Sequence, residues 1–187
     1  MKILFVIKHI EYIDPMGIML LSALAKQRGH TTNLNVLANK NLLKNLKEIK
    51  PDIVAYSTTT GQHNYYLEAN KIVKSYNSDI FTIMGGPHTT FFPEIVTSSN
   101  LDAVCVGEGD DAWVELLDAL EKNKDIDNIP NIVTKENRKK NSTPNIRPKK
   151  ENLDSLPFSD RDLFYKNTRL GRFPMRSIMA GRGCPFH

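Results

Sequence analysis

Four short segments of this 187-residue chain carry residues suited to holding a ligand: KHIEYIDPMG (8–17), STTTG (57–61), GGPHTT (85–90) and GEGDDAW (107–113). A row of hydroxyls supplies donors and acceptors without adding charge. Consecutive glycines remove side chains where another group must approach the backbone closely. Singly, each segment also reads as ordinary turn and helix-cap chemistry. Together they describe a slot for a large, polar, mostly neutral ligand. A fifth segment, SIMAGRGCPFH (177–187), looks like the start of something rather than its end. Its lone Cys184 cannot hold an iron–sulfur cluster, and Cys184 with His187 lacks the further ligands a zinc site needs.

The elements that must position these residues alternate between strand and helix. KILFVI is the first strand. PMGIMLLSALAKQRG follows as a helix, with Pro15 near its start and Gly29 at its end. TTNLNVL is a second strand and NLLKNLKEIK a short helix. DIVAYST is a third strand, and the next helix places Ala69, Ile72, Val73 and Tyr76 on one face. DIFTIMGG is the fourth strand, with a short helix expected over roughly residues 91–98. LDAVCVG is the fifth, followed by a helix that presents Trp113, Leu116, Leu117 and Leu120. Strands joined by helices pair in parallel, because parallel neighbours need a long crossover. The expectation is a flavodoxin-like, doubly wound α/β domain with a five-stranded parallel sheet over residues 1–128. All four polar segments follow strands, so they meet at the carboxyl edge of that sheet, where such folds bind ligands. Beyond residue 128 the rhythm breaks. NIVTKENRKKNSTPNI suggests a β-hairpin with a polar turn, and NLDSLPFSDRDLF an ordered strap with two apolar anchors around a proline; both belong to a linker over residues 129–187.

Composition narrows the function classes. Hydrophobic residues are 40% and charged residues 25% of the chain, as in globular proteins. No run approaches the ~18 apolar residues that cross a bilayer, and the N-terminus lacks the long apolar core of a signal peptide. Cys105 and Cys184 sit in unlike contexts, which fits a reducing cytoplasm better than a disulfide framework. The formal charge of +4 is concentrated in residues 135–150, without interleaved aromatics, so a nucleic-acid platform is not expected. A receiver domain needs an aspartate ending the third strand, where Ser57 stands. A flavin site of flavodoxin type needs a Ser/Thr/Gly-rich loop after the first strand, where HIEYIDPMG stands. GEGDDA matches a dinucleotide fingerprint, but after the wrong strand.

The order of PMGIMLLSALAKQRGH, PDIVAYSTTTG, MGGPHTTFFPE and DAVCVGEGDDAWVELLDAL resembles the N-terminal cobalamin-binding domain of B12-dependent radical S-adenosylmethionine enzymes. ENLDSLPFSDRDLF and SIMAGRGCPFH resemble the join to the radical domain. The resemblance implies that Cys184 opens a C-x-x-x-C-x-x-C motif holding a [4Fe–4S] cluster to which S-adenosylmethionine binds, and that the chain stops one residue before the second cysteine. Such a fragment would not be catalytically competent alone, and its partners would be cobalamin and the missing radical domain. The related motif D-x-H-x-x-G carries a histidine that ligates cobalt. With Gly17 on its last glycine, Asp14 takes the histidine's place and Tyr12 the aspartate's, which implies base-off cobalamin without a histidine ligand. By the same resemblance, the cofactor's tail descends between the third and fourth strands, past Ser57, Thr58, Thr59 and Gly61 on one side and Gly85, Gly86 and Pro87 on the other. Gly107, Glu108 and Gly109 would lie near the corrin edge, and Ile13, Asp14 and Met16 below the cobalt. His88 either bonds a corrin side chain or begins a helix. Methyl transfer is the commonest chemistry of the family. Electron transfer, ring rearrangement and a scaffold that has lost cobalamin are the alternatives, the last opposed by the retained STTTG and GGPH.

Overall fold

In the computed structural model, which describes residues 1–140, 143–179 and 181–183, strand β1 spans Lys2–Ile7 and is buried from Ile3 onward. Ile3, Phe5 and Ile7 enter one core while Leu4 and Val6 enter a second on the opposite face. A strand with two apolar faces belongs at the centre of a sheet. Helix α1 (Met16–Gln27) leads to β2 (Thr31–Val36), α2 (Leu42–Ile49) to β3 (Ile53–Ser57), and α3 (His63–Tyr76) to β4 (Phe81–Gly85). Helix α4 (Pro87–Phe91) and a 3-10 turn over Pro93–Val96 precede β5 (Ala103–Cys105), which α5 (Asp110–Glu121) follows. The strand order is β2-β1-β3-β4-β5-β6, and the first five strands pair in parallel as expected. Helices α1 and α5 pack together, and α2 packs with α3; the first pair contributes to one core and the second to the other.

Two local expectations shift. Ile72 is 45% exposed, whereas Tyr66, Ala69, Asn70 and Val73 face the sheet. At 3.6 residues per turn Ile72 lies about 100° from the centre of that face. The short helix after β4 starts at Pro87, four residues earlier than its hydropathy suggests. Proline suits a first helical position, and Pro93 then ends the run.

The expected hairpin does not form. Its first limb is β6 (Ile132–Thr134), which pairs antiparallel with β5 and makes the sheet six-stranded. This pairing sends Ile132 into one core and Val133 into the other. The intended turn is helix α6 (Lys135–Lys140). The return limb holds Pro144 and Pro148, which cannot donate to a ladder. It is tied instead by the Asn131 amide to the Asn145 carbonyl at 2.7 Å, and by the Arg147 amide to Asn131 Oδ1 at 3.0 Å.

The strap is ordered, but its anchors differ. Leu156 packs against the core while Phe158, across Pro157, is fully exposed. The deep anchors come later. Leu163 and Phe164 of α7 (Asp162–Tyr165) and the following Leu170 are at most 3% exposed and join the α1 and α5 core. Asp160 fastens the strap to α1, its amide donating to the Met19 carbonyl at 2.9 Å and its carboxylate accepting from Ser22 at 2.6 Å. No helix among the described residues is long and apolar enough to cross a membrane.

Candidate functional site

The chain leaves β1 toward β2 on one side and β3 toward β4 on the other. Those opposed crossovers part above the β1–β3 boundary, which is where an open α/β sheet forms its ligand crevice. A crevice of about 280 Å³ lies there. Ile7, Ile10 and Ile18 from the β1–α1 region, with Phe164 and Leu170 from the strap, give it an apolar wall. Ser57, Thr58, Thr59 and Pro87 line it from the β3 and β4 ends, and Ile13, 71% exposed, stands at its mouth.

Between the ends of β3 and β4, where the tail was expected, the two backbones are joined directly. The Thr58 amide donates to the Gly85 carbonyl at 3.0 Å, and the His88 amide to the Thr58 carbonyl at 3.2 Å. Gly86 sits at φ 98°, ψ −177°, a conformation open essentially to glycine alone. A Cβ there would lie 2.7 Å from the Thr58 carbonyl oxygen. Gly86 thus packs the β4 end against β3, and the free volume lies one strand over, beside β1. Gly61 is exposed on the turn before α3, outside the crevice lining.

His88 begins α4 as its second residue and is buried. Its ring stacks on His63 with centroids 4.0 Å apart, and its Nδ1 lies 3.4 Å from Thr60 Oγ1. Burial, and then the neighbouring His63, push its pKa below the ordinary histidine value. Gly107, Glu108 and Gly109 stand at the β5 end, two strands from the crevice. There the Glu108 carboxylate accepts from the Lys150 amide at 3.0 Å and lies 3.8 Å from Arg182. Met16 and Gly17 face a separate groove of about 690 Å³, shared with Leu156, Phe158, Ile178 and Met179. Cys184 lies outside the described residues. The remaining thiol, Cys105, is pushed up to about 12 by burial and by the Asp110 carboxylate, so it stays protonated at neutral pH.

Asp14 lines the crevice, yet its carboxylate is committed elsewhere. Its Oδ2 accepts from Arg161 Nη1 at 2.8 Å, from the Tyr165 hydroxyl at 2.8 Å and from the Ser177 amide at 2.9 Å. Burial raises its pKa, but the Ser177, Tyr165 and Arg161 bonds outweigh that and hold it below the ordinary aspartate value. The sequence singled out Asp14 but none of these partners. They lie 147 to 163 residues away, beyond the reach of any local pattern.

The B12-binding domain model matches residues 4–117, which include β1 from Leu4 onward, the hydroxyl segment and the paired glycines. The chain belongs to the B12-binding domain family. An uncharacterized methyltransferase of Pyrococcus horikoshii is 34% identical over 181 residues, covering 92% of this chain and 39% of that protein. The hopanoid C-3 methylase of Methylococcus capsulatus is 28% identical over 188 residues, covering 93% and 35%. The chain thus spans less than two fifths of the length of these two relatives. Among solved structures, the cobalamin-dependent S-adenosylmethionine radical enzyme OxsB with aqua-cobalamin bound superposes with a TM-score of 0.73 at 18% identity, over 94% of this chain and 26% of that one. The radical S-adenosylmethionine methyltransferase TsrM from Kitasatospora setae, with cobalamin and a [4Fe–4S] cluster bound, gives 0.61 at 16% identity, over 73% and 27%. At these identities the likeness is one of fold.

The crevice of this B12-binding domain fits part of a cobalamin. Its volume is at the low end of what holds a drug-sized ligand, enough for an apolar ring with polar edges and too small for a corrin. Of the crevice-lining residues His9 alone carries an imidazole, and its Nε2 lies 3.4 Å from Glu11 Oε1. Among the described residues no group of three or more His, Cys, Asp or Glu side chains could hold a metal ion.

Proposed function

We propose that this chain seats the tail of a base-off cobalamin in the β1–β3 crevice, as the cofactor-carrying part of a B12-dependent radical S-adenosylmethionine methyltransferase. The observation that carries the reading is the crevice itself: apolar walls and a hydroxyl rim at the strand-order switch of a B12-binding family member. When bound, methylcobalamin supplies the methyl group, and the protein's part is to bind and orient it. Ser57 and Thr59 offer hydroxyls to the tail's polar edges, Ile7, Ile18 and Phe164 exclude water from its ring, and Ile13 lies where the corrin would rest on the mouth. Residues 1–128 form the cofactor domain. Residues 129–187 lead to the catalytic domain while lending the cofactor domain β6, Phe164 and Leu170, and Cys184 supplies the first thiolate of a [4Fe–4S] cluster in the catalytic domain. The methylating P. horikoshii and M. capsulatus relatives favour methyl transfer over the other chemistries of the family.

The test is a titration of the purified chain with hydroxocobalamin, followed by absorbance and by retention of cofactor through gel filtration. Stoichiometric retention is expected. Ser57→Phe should lower affinity at least about tenfold, since an aromatic ring at the rim fills the space the tail needs, while leaving the circular dichroism melt unchanged. Full affinity in the folded variant would sink the crevice assignment, and absence of binding by the native chain would sink the reading. Asp14 stands at the histidine position and is held by three donors, so no imidazole is expected on cobalt. Electron paramagnetic resonance of the Co(II) form should lack superhyperfine splitting from an axial nitrogen. Splitting that disappears in His9→Ala would assign that imidazole as a ligand and overturn the point.

A further inference from the structure

The chain between the strap and residue 183 is fastened at two places on the carboxyl edge of the sheet. At the β1 side, Asp14 Oδ2 takes the Ser177 amide, and the Asp14 amide approaches Ser177 Oγ at 3.4 Å. Arg161 closes the arrangement, donating from Nη1 to Asp14 and from Nη2 to the Ser177 carbonyl at 2.6 Å. At the β5 side, Arg182 pairs with Asp110, the buried first residue of α5. Ser177 is therefore held at the β1 loop and Arg182 at the β5 side. Among the described residues, Asp14 both lines the crevice and hydrogen-bonds Ser177. Its side chain is 3% exposed. A buried carboxylate stays charged only while its donors are in place, so the loop that carries it and the segment that satisfies it move as a unit.

We infer that Asp14 is a positioning residue that couples the cofactor loop, residues 10–16, to the docking of Ser177, so that filling the crevice and holding Ser177 in place favour each other. The coupling rests on the cobalamin reading of the crevice. The grip of Asp14 on Ser177 does not. A ligand that holds the loop in place presents the carboxylate to Arg161 and Ser177, and a segment already docked spares the ligand part of the cost of ordering the loop. Thermodynamic linkage makes the two effects equal in size.

Hydrogen–deuterium exchange on the 187-residue chain separates the parts. In the ligand-free chain, Asp14→Ala should speed exchange of amides 177–183 about tenfold or more, the factor that goes with losing a charge-assisted hydrogen bond. Amides of β1 and β3 report whether the variant is still folded. Unchanged exchange at 177–183 in a folded variant overturns the grip. Saturating hydroxocobalamin should slow exchange at 177–183 in the native chain and not in Asp14→Ala. Ser177→Pro is the second variant, because it removes the amide donor while leaving Asp14 paired with Arg161 and Tyr165. Ser177 is not among the crevice-lining residues, so a merely structural role predicts native affinity for hydroxocobalamin. The coupling predicts a loss of about the factor by which the ligand protects the segment. Native affinity in Ser177→Pro, or a native segment whose exchange ignores bound ligand, overturns the coupling. Failure of the native chain to bind hydroxocobalamin overturns the functional reading and the coupling with it, and leaves the ligand-free comparison to judge the grip.

Discussion

Gly85 and Gly86 are neighbours that do different work. Gly85 tolerates a side chain, since an added Cβ would meet Cys105 Cβ at an ordinary 3.7 Å. Gly86 does not: its φ of 98° and the Thr58 backbone 2.7 Å from the added Cβ both forbid one. Gly86→Ala should cost about 1–3 kcal/mol from the backbone conformation alone, with more from the clash. Gly85→Ala should lie within about 1 kcal/mol of the native chain, as substitutions without a named mechanism do. Urea unfolding of both variants checks the contrast, and equal midpoints would refute it. The sequence marked the glycine pair as a place of close approach, which it is. What approaches Gly86 is the Thr58 backbone, and a positive φ leaves no trace in a dipeptide of two glycines. The same holds at Asp14, where position in a motif is visible and the direction of a carboxylate is not.

Among the elements, strands and helices up to Glu121 were legible because their signals are local. Alternation, apolar runs and terminating glycine or proline fall within a dozen residues of the segment they define. The parallel pairing was legible too, through the length of the crossovers. The strand at β6 was legible as a hairpin limb, but its pairing with β5 was not, and neither was α7, since three or four residues carry no period. Their places are set by partners distant in sequence, β5 for the one and the α1 core for the other. Phe164 tests how far the strap belongs to the fold. It is fully buried, so Phe164→Ala should destabilise the chain by about 3–5 kcal/mol. Ile72→Gln, on the exposed flank of α3, should change stability by less than about 0.5 kcal/mol. Chemical denaturation of the two variants decides the matter, and a small loss for Phe164→Ala would mean that the strap is an ornament on an independent core.

For the whole molecule, the charge network gives a pH dependence with a definite sign. Asp14 has its folded pKa held below its unfolded value, which is about 3.9 for an ordinary aspartate. Its contribution is therefore complete above that value and is lost as pH falls through the folded one. Stability should decline from about pH 5 to about pH 2, and the decline should be shallower in Asp14→Asn. Asp118, held low by its hydrogen bond to Arg28 on the surface, contributes with the same sign in both chains. Urea midpoints across that range are the measurement, and parallel curves for the two chains would refute the assignment.

The strap's place in the crevice wall also fixes an order of events in time. The β1, β3 and α4 contributions are all present in the chain by Pro87, but Phe164 and Leu170 belong to the same wall. A polypeptide is made from its N-terminus at about 5–20 residues per second, so the 77 residues from Pro87 to Phe164 take roughly 4–15 s. Through that interval the nascent sheet presents a half-built slot, with apolar β1 and α1 surface uncovered. On the proposed seating of cobalamin in this crevice, loading of the cofactor would be a late event in the life of the chain. Chains shortened from the C-terminus should lose cofactor retention in steps, first when Leu170 is removed and then when Phe164 is. A chain ending at residue 160 that retained cofactor as well as the complete one would show that the late wall is dispensable.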